Sequence, residues 1–161
     1  YEMQRSLVGS EMCIRDRLTI DLYFNHSITL KALSDITNMS FKVADVDTEE
    51  HYIILEHPRD IGIEYEMESY YQWYVDFFEN NYSVLKKNGL EYANIFINVF
   101  YKGQCNFEIF DKESLAALSK YDVSYPISVF ALSDKELLDI LNDYSVPSEK
   151  ICKLFETEYG R

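Results

Sequence analysis

The stretch ESYYQWYVDFFENNYSVLKKNG, Glu68 to Gly89, carries the longest regular pattern in the chain. Tyr70, Trp73, Tyr74, Phe77 and Asn81 fall on one stripe at helical spacing, and Tyr71, Val75, Phe78, Tyr82 and Leu85 on the neighbouring one. Two adjacent stripes predict a core helix with an acidic polar edge. Its end is marked too: Lys86 and Lys87 suit the negative end of the helix dipole, and Asn88-Gly89 can adopt the left-handed cap.

On the N-terminal side, LTIDLYF sets Leu18, Ile20, Leu22 and Phe24 against Thr19, Asp21 and Tyr23, the period of a half-buried strand. SITLKALSDIT places Ile28, Leu30, Leu33 and Ile36 at helical spacing, with Ser27 as candidate N-cap. SFKVADVDTEE, with Asp45, Asp47, Glu49 and Glu50, reads as a charged loop, and HYIIL as a short strand closed by His57-Pro58. On the C-terminal side, ANIFINVFY (93–101) and QCNFEIF (104–110) predict a hairpin turning at Lys102-Gly103. Asp111 can cap a helix reaching about Lys120. SYPISVFA (124–131) follows as a strand with Pro126 at its start or edge. Ser133 to Glu136 has capping-box spacing before Leu137, Leu138, Ile140 and Leu141, and Ile151, Leu154 and Phe155 suggest a last short helix. The expected fold is α+β: one mostly antiparallel sheet of four or five strands with helices packed mainly on one face.

The chain has a formal net charge of −13. Such acidity disfavours binding nucleic acid, whose phosphates are met by Lys and Arg, and suits solubility or a basic protein partner. No apolar run approaches a membrane span. Cys105 and Cys152 stand far apart without metal or redox spacing, which points to free thiols and a cytoplasmic location.

No glycine-rich phosphate loop, GxSxG elbow or HExxH is present, so no catalytic residue, cofactor or metal is assigned. A metal site gathering His51, His57 and Cys105 lacks any ligand spacing, and a Cys105 nucleophile would need His51 to meet it across the sheet. Ordinary histidines, including His26, and a buried cysteine are the preferred readings.

The most distinctive composition lies in IEYEMESYYQWY, where acids and rings interleave. Glu64, Tyr65, Glu66, Glu68, Tyr70, Tyr71, Trp73 and Tyr74 exceed what one buried stripe needs. They form the candidate surface for a basic partner, the acids raising the on-rate and the rings carrying affinity. An immunity-like or regulatory binding protein is therefore expected. The alternatives are a small-molecule binder or enzyme with a pocket between sheet and helices, and a nucleic-acid mimic.

Two resemblances complete the reading. LVGSEMCIRDR, Leu7 to Arg17, resembles one reading frame of a transposase-type sequencing adapter, and Tyr1 to Met3 is similar to the adapter's flow-cell end. Residues 1–17 are accordingly expected to be a non-native, disordered arm, with the domain running from 18 to 161 and the native start upstream of Leu18. Leaving the arm out removes three basic and three acidic residues, so 12 Lys/Arg, 25 Asp/Glu and the net −13 remain. IDLYF, the long helix and NIFINVFYKGQCNFEIFDKESLAALSKYDVSYPISVFA resemble a family of small bacterial α+β proteins of unknown function. That resemblance implies a fold and transfers no site residues.

Overall fold

The computed structural model describes residues 13–59, 67–101 and 108–143. Along the chain run β1 (Cys13–Phe24), α1 (Leu30–Ile36), β2 (Lys42–Asp47), β3 (Tyr52–Glu56), α2 (Met67–Lys87), β4 (Leu90–Tyr101), α3 (Lys112–Leu118), β5 (Ile127–Ala131) and α4 (Asp134–Asp143). The strands form one sheet in the order β2-β3-β1-β4-β5, antiparallel except for the parallel β4–β5 pair. This is the expected α+β layer, and α1, α2 and α3 all place residues in the core on one face of the sheet.

Register fixes which side chains share that face. Leu18 lies opposite Ile97, Ile20 opposite both Leu55 and Ile95, and Leu22 opposite both Ile53 and Ala93. With Val99 these residues are all buried. Over them lies α2, burying both predicted stripes: Tyr70, Trp73, Tyr74, Phe77 and Asn81 on one, Tyr71, Val75, Phe78 and Leu85 on the other. Leu33 of α1 and Leu118 of α3 close the same core.

Asn81 earns its buried place with two hydrogen bonds. Its Nδ2 donates to Phe77 C=O at 2.9 Å, and its Oδ1 accepts Asn38 N–H at 2.9 Å, tying the exit of α1 to α2.

The tyrosine hydroxyls of α2 serve the sheet. The β1–β3 pairing runs only from Ile20 to Tyr23, leaving Leu18 beyond its last registered pair. Leu18 N–H donates to the Tyr70 hydroxyl at 3.0 Å, and the Tyr74 hydroxyl donates to Leu18 C=O at 2.7 Å. The two hydroxyls lie 3.1 Å apart. Because Tyr74 spends its proton on Leu18, Tyr70 is the donor between them. Tyr74 also accepts the backbone N–H of His57, and burial, the largest influence, pushes its phenol well above the ordinary range.

Several expectations are corrected. Cys13 to Arg17 is not disordered: it extends β1, pairing with Asn98 to Tyr101 of β4, and Arg17 forms an ion pair with Glu56. Backbone pairing does not depend on side-chain identity, and no Pro or Gly interrupts this segment. Residues 1–12 lie outside the described residues. The hairpin at Lys102-Gly103 is not how β4 pairs, since β1 and β5 occupy its two edges. Reaching a parallel neighbour needs a long crossover, which here includes α3. Glu108 to Phe110 is not strand, and 102–107 lies outside the described residues.

The N-cap of α1 is Thr29, whose hydroxyl accepts Ala32 N–H, and not Ser27. The charged segment after Phe41 is the edge strand β2, a position that tolerates charge because one side of it meets water. Its turn is built by Asp47, which accepts the N–H groups of Glu49 and Glu50, and by His51 at φ +58°. The Asp111 cap and the Ser133–Glu136 capping box form as expected. Pro126 precedes β5 and accepts from Ile97 N–H. The helix expected around Ile151 lies outside the described residues.

Gly89 adopts φ +90° after α2, and a Cβ there would meet the Asn25 carboxamide and the His26 ring. Gly89→Ala should destabilise the protein by more than about 1 kcal/mol in urea unfolding, through strain and this crowding. Tyr74→Phe should cost about 1–3 kcal/mol by leaving buried Leu18 C=O without its donor. A midpoint equal to wild type would mean that the hydroxyl does not complete the ladder.

Candidate functional site

Four rings of the expected partner surface are not exposed. Tyr70, Tyr71, Trp73 and Tyr74 are buried against the sheet, and their rings pack on one another and on His57 and Phe110. Their number is explained by the backbone groups that two of their hydroxyls satisfy. Glu68 lies in the first turn of α2, and Glu64, Tyr65 and Glu66 lie outside the described residues.

Nor does the fold bring His51 and His57 together. His51 precedes β3 and His57 follows it, so the strand holds them about 20 Å apart. The His57 ring packs between Tyr70 and Trp73, with centroids 5.4 Å from each. Burial is the main influence lowering its pKa. Its Nδ1 accepts Arg59 N–H at 3.2 Å. Cys105 lies outside the described residues. Among the described residues no group of three or more His, Cys, Asp or Glu could hold a metal ion. Likewise no described helix is long and apolar enough to cross a membrane.

What stands out is the sheet face turned away from α2. The alternation that sends Leu18, Ile20 and Leu22 inward sends Thr19, Asp21 and Tyr23 to this side. Register then builds rows across it. Asp47, Tyr52, Tyr23 and Tyr92 form one row, and Asp45, Ile54, Asp21 and Asn94 the next. Tyr23 stands between two rings, 5.8 Å from that of Tyr52 and 5.6 Å from that of Tyr92. The Tyr52 hydroxyl donates to Asp45 Oδ2 at 3.0 Å, and Tyr92 is 47% exposed.

In the neighbouring row Asp21 and Asn94 are buried. Thr19 Oγ1 donates to Asp21 Oδ1 at 2.9 Å, and the Asn94 side chain also hydrogen-bonds to the carboxylate. Burial raises the Asp21 pKa, and the hydrogen bonds from Thr19 and Asn94 only partly offset it. Asn94 Oδ1 is buried without a partner. Burial first, then the charge of Asp21 and the neighbouring Tyr92, raise the Tyr23 phenol. The arrangement offers ring faces and negative charge, a combination that favours cationic groups. The sequence signal for it was the polar half of the LTIDLYF alternation, an acid and a tyrosine on the central strand.

Compared with family models, curated proteins and solved structures, the chain matches none.

The raised pKa of Asp21 has a definite sign. The folded state holds this proton more tightly than the unfolded chain, so the contribution is fully present below the ordinary value of 3.8. It is lost as pH rises through the raised value. Asp21→Asn should therefore raise the urea midpoint at neutral pH, with the advantage narrowing on acidification toward 3.8. Paired urea titrations across that range check it, and an advantage that does not change with pH contradicts the assignment.

Proposed function

We propose that this chain is a binding module for a basic protein, an immunity-like or regulatory component of a bacterial cytoplasm. Its partner is received on the tyrosine-bearing sheet face. The observation that carries the reading is the row Tyr52, Tyr23 and Tyr92 beside Asp45, Asp47 and the buried Asp21. Aromatic rings that keep one face accessible supply contact area at little entropic cost. Carboxylates around them steer a cationic surface into register and speed the encounter. The net charge of −13 extends that attraction and argues against direct contact with nucleic acid.

Affinity capture from a lysate of the source organism, at low and moderate salt, tests this. Wild type should enrich a basic protein that moderate salt weakens. Tyr92→Ser combined with Asp45→Lys should lose it, while Glu113→Lys on α3 should keep it. Equal retention by the Tyr92/Asp45 variant would exclude this face as the receptor.

A further inference from the structure

The sheet ends in two unlike edges. β2 carries Lys42, Asp45 and Asp47, with a register shift between Val43 and Asp45. Charges and bulges are the features that stop an edge from recruiting another strand. β5 reads ISVFA and has neither.

The parallel register shows which backbone groups β5 leaves outward. Ile97 N–H donates to Pro126 C=O at 2.9 Å, and Leu132 N–H donates to Tyr101 C=O at 2.8 Å. With Ile97 opposite Ile127 and Val99 opposite Val129, the even-numbered residues 126 to 132 turn their backbone groups toward β4. Those of Ile127, Val129 and Ala131 point away from the sheet. Among the described residues no strand lies beyond β5.

The side chains along this edge are apolar and open. Ile127 is 52%, Val129 54% and Phe130 45% exposed. Ile127 and Val129 share the helix-covered face of the sheet but stand at its margin. Phe130 is on the opposite face, stacked on Phe100 at 5.1 Å. An outward row of donors and acceptors thus coincides with apolar side chains on both faces, the arrangement by which a sheet takes up an extended peptide.

We propose that the outer edge of β5 receives an extended segment of a basic partner as a sixth strand. Its backbone pairs with Ile127, Val129 and Ala131, and its apolar side chains lie beside Ile127 and Val129 on one face and Phe130 on the other. Charge selects this occupant over a second copy. Joining two copies edge to edge brings together two chains of net charge −13. Lysines or arginines in a partner strand instead carry the charge opposite to that of the chain, whose acidic residues include Asp134 and Glu136 directly after β5. The proposal goes beyond the tyrosine-face reading and uses the other end of the sheet, so Tyr92→Ser can abolish capture without touching it.

Backbone amide exchange on the full chain tests it, with a short peptide of alternating lysine and valine, blocked at both ends, as the probe. Exchange at Ile127, Val129 and Ala131 should slow by about tenfold or more. Ser128 and Phe130, already paired with β4, should not change. Val129→Pro removes the central outward donor and leaves the β4 ladder in place, so it should eliminate the effect. Val129→Lys keeps the backbone and should weaken it at low salt. The same peptide N-methylated at alternate backbone amides should give no protection. Equal protection by the methylated peptide, or slowing spread over the whole acidic surface, would overturn the proposal. So would slow exchange at these three amides without peptide, whether dependent on protein concentration, which means self-pairing, or independent of it.

Discussion

Two hydroxyls of α2 hold the sheet and its helix layer in one arrangement. Tyr70 takes the N–H of Leu18, and Tyr74 gives its proton to the same residue's C=O. They do so where the β1–β3 pairing has ended and Leu18 would otherwise bury both groups without partners. Apolar packing alone lets a helix slide or rotate on a sheet at modest cost. A pair of hydrogen bonds from adjacent turns of one helix to a single strand residue fixes both its position along β1 and its rotation. The rest of the core is arranged around that point. The indole of Trp73 lies edge-on to Tyr74 with centroids 4.8 Å apart, and His57 is seated over Tyr70 and Trp73.

The same tyrosines show where sequence reasoning succeeds and where it stops. The helical period of 68–87, its Gly89 end, the alternation around Leu18 and the caps at Asp111 and Ser133 are local properties, and each could be read from neighbouring residues. The use of a tyrosine hydroxyl is not local. Whether it faces water, a partner or a buried carbonyl depends on a strand some fifty residues away in the chain. An excess of rings near Tyr70 therefore looks like an exposed anchor set until the sheet is present. For the same reason a hairpin after Tyr101 seems the economical continuation of β4. Only the seating of β1 along one edge of β4, and of β5 along the other, closes that option.

The candidate site was half legible. Alternation placed Thr19, Asp21 and Tyr23 together on the polar side of a strand. The contributions of Tyr52, Tyr92 and Asn94 come from cross-strand register, which no single stretch reveals. Burial of the Asp21 carboxylate on that side is likewise not local, since its cross-strand neighbours are Ile54 of β3 and Asn94 of β4. An acid on the polar side of the alternation thereby becomes a buried carboxylate.

The strand order also constrains how the molecule is made. β1 is the middle strand, yet its long partner β4 is separated from it by α1, β2, β3 and α2. During synthesis Leu18, Ile20 and Leu22 leave the ribosome well before the β4 ladder they join. Local elements form first, and the slow step is closure of a very large loop that brings β4 alongside β1. Until then β1, with Leu18, Ile20 and Leu22, keeps one side of its ladder open, the state in which chains of this kind aggregate. The centre of the finished sheet thus waits for a strand that lies far along the chain from β1.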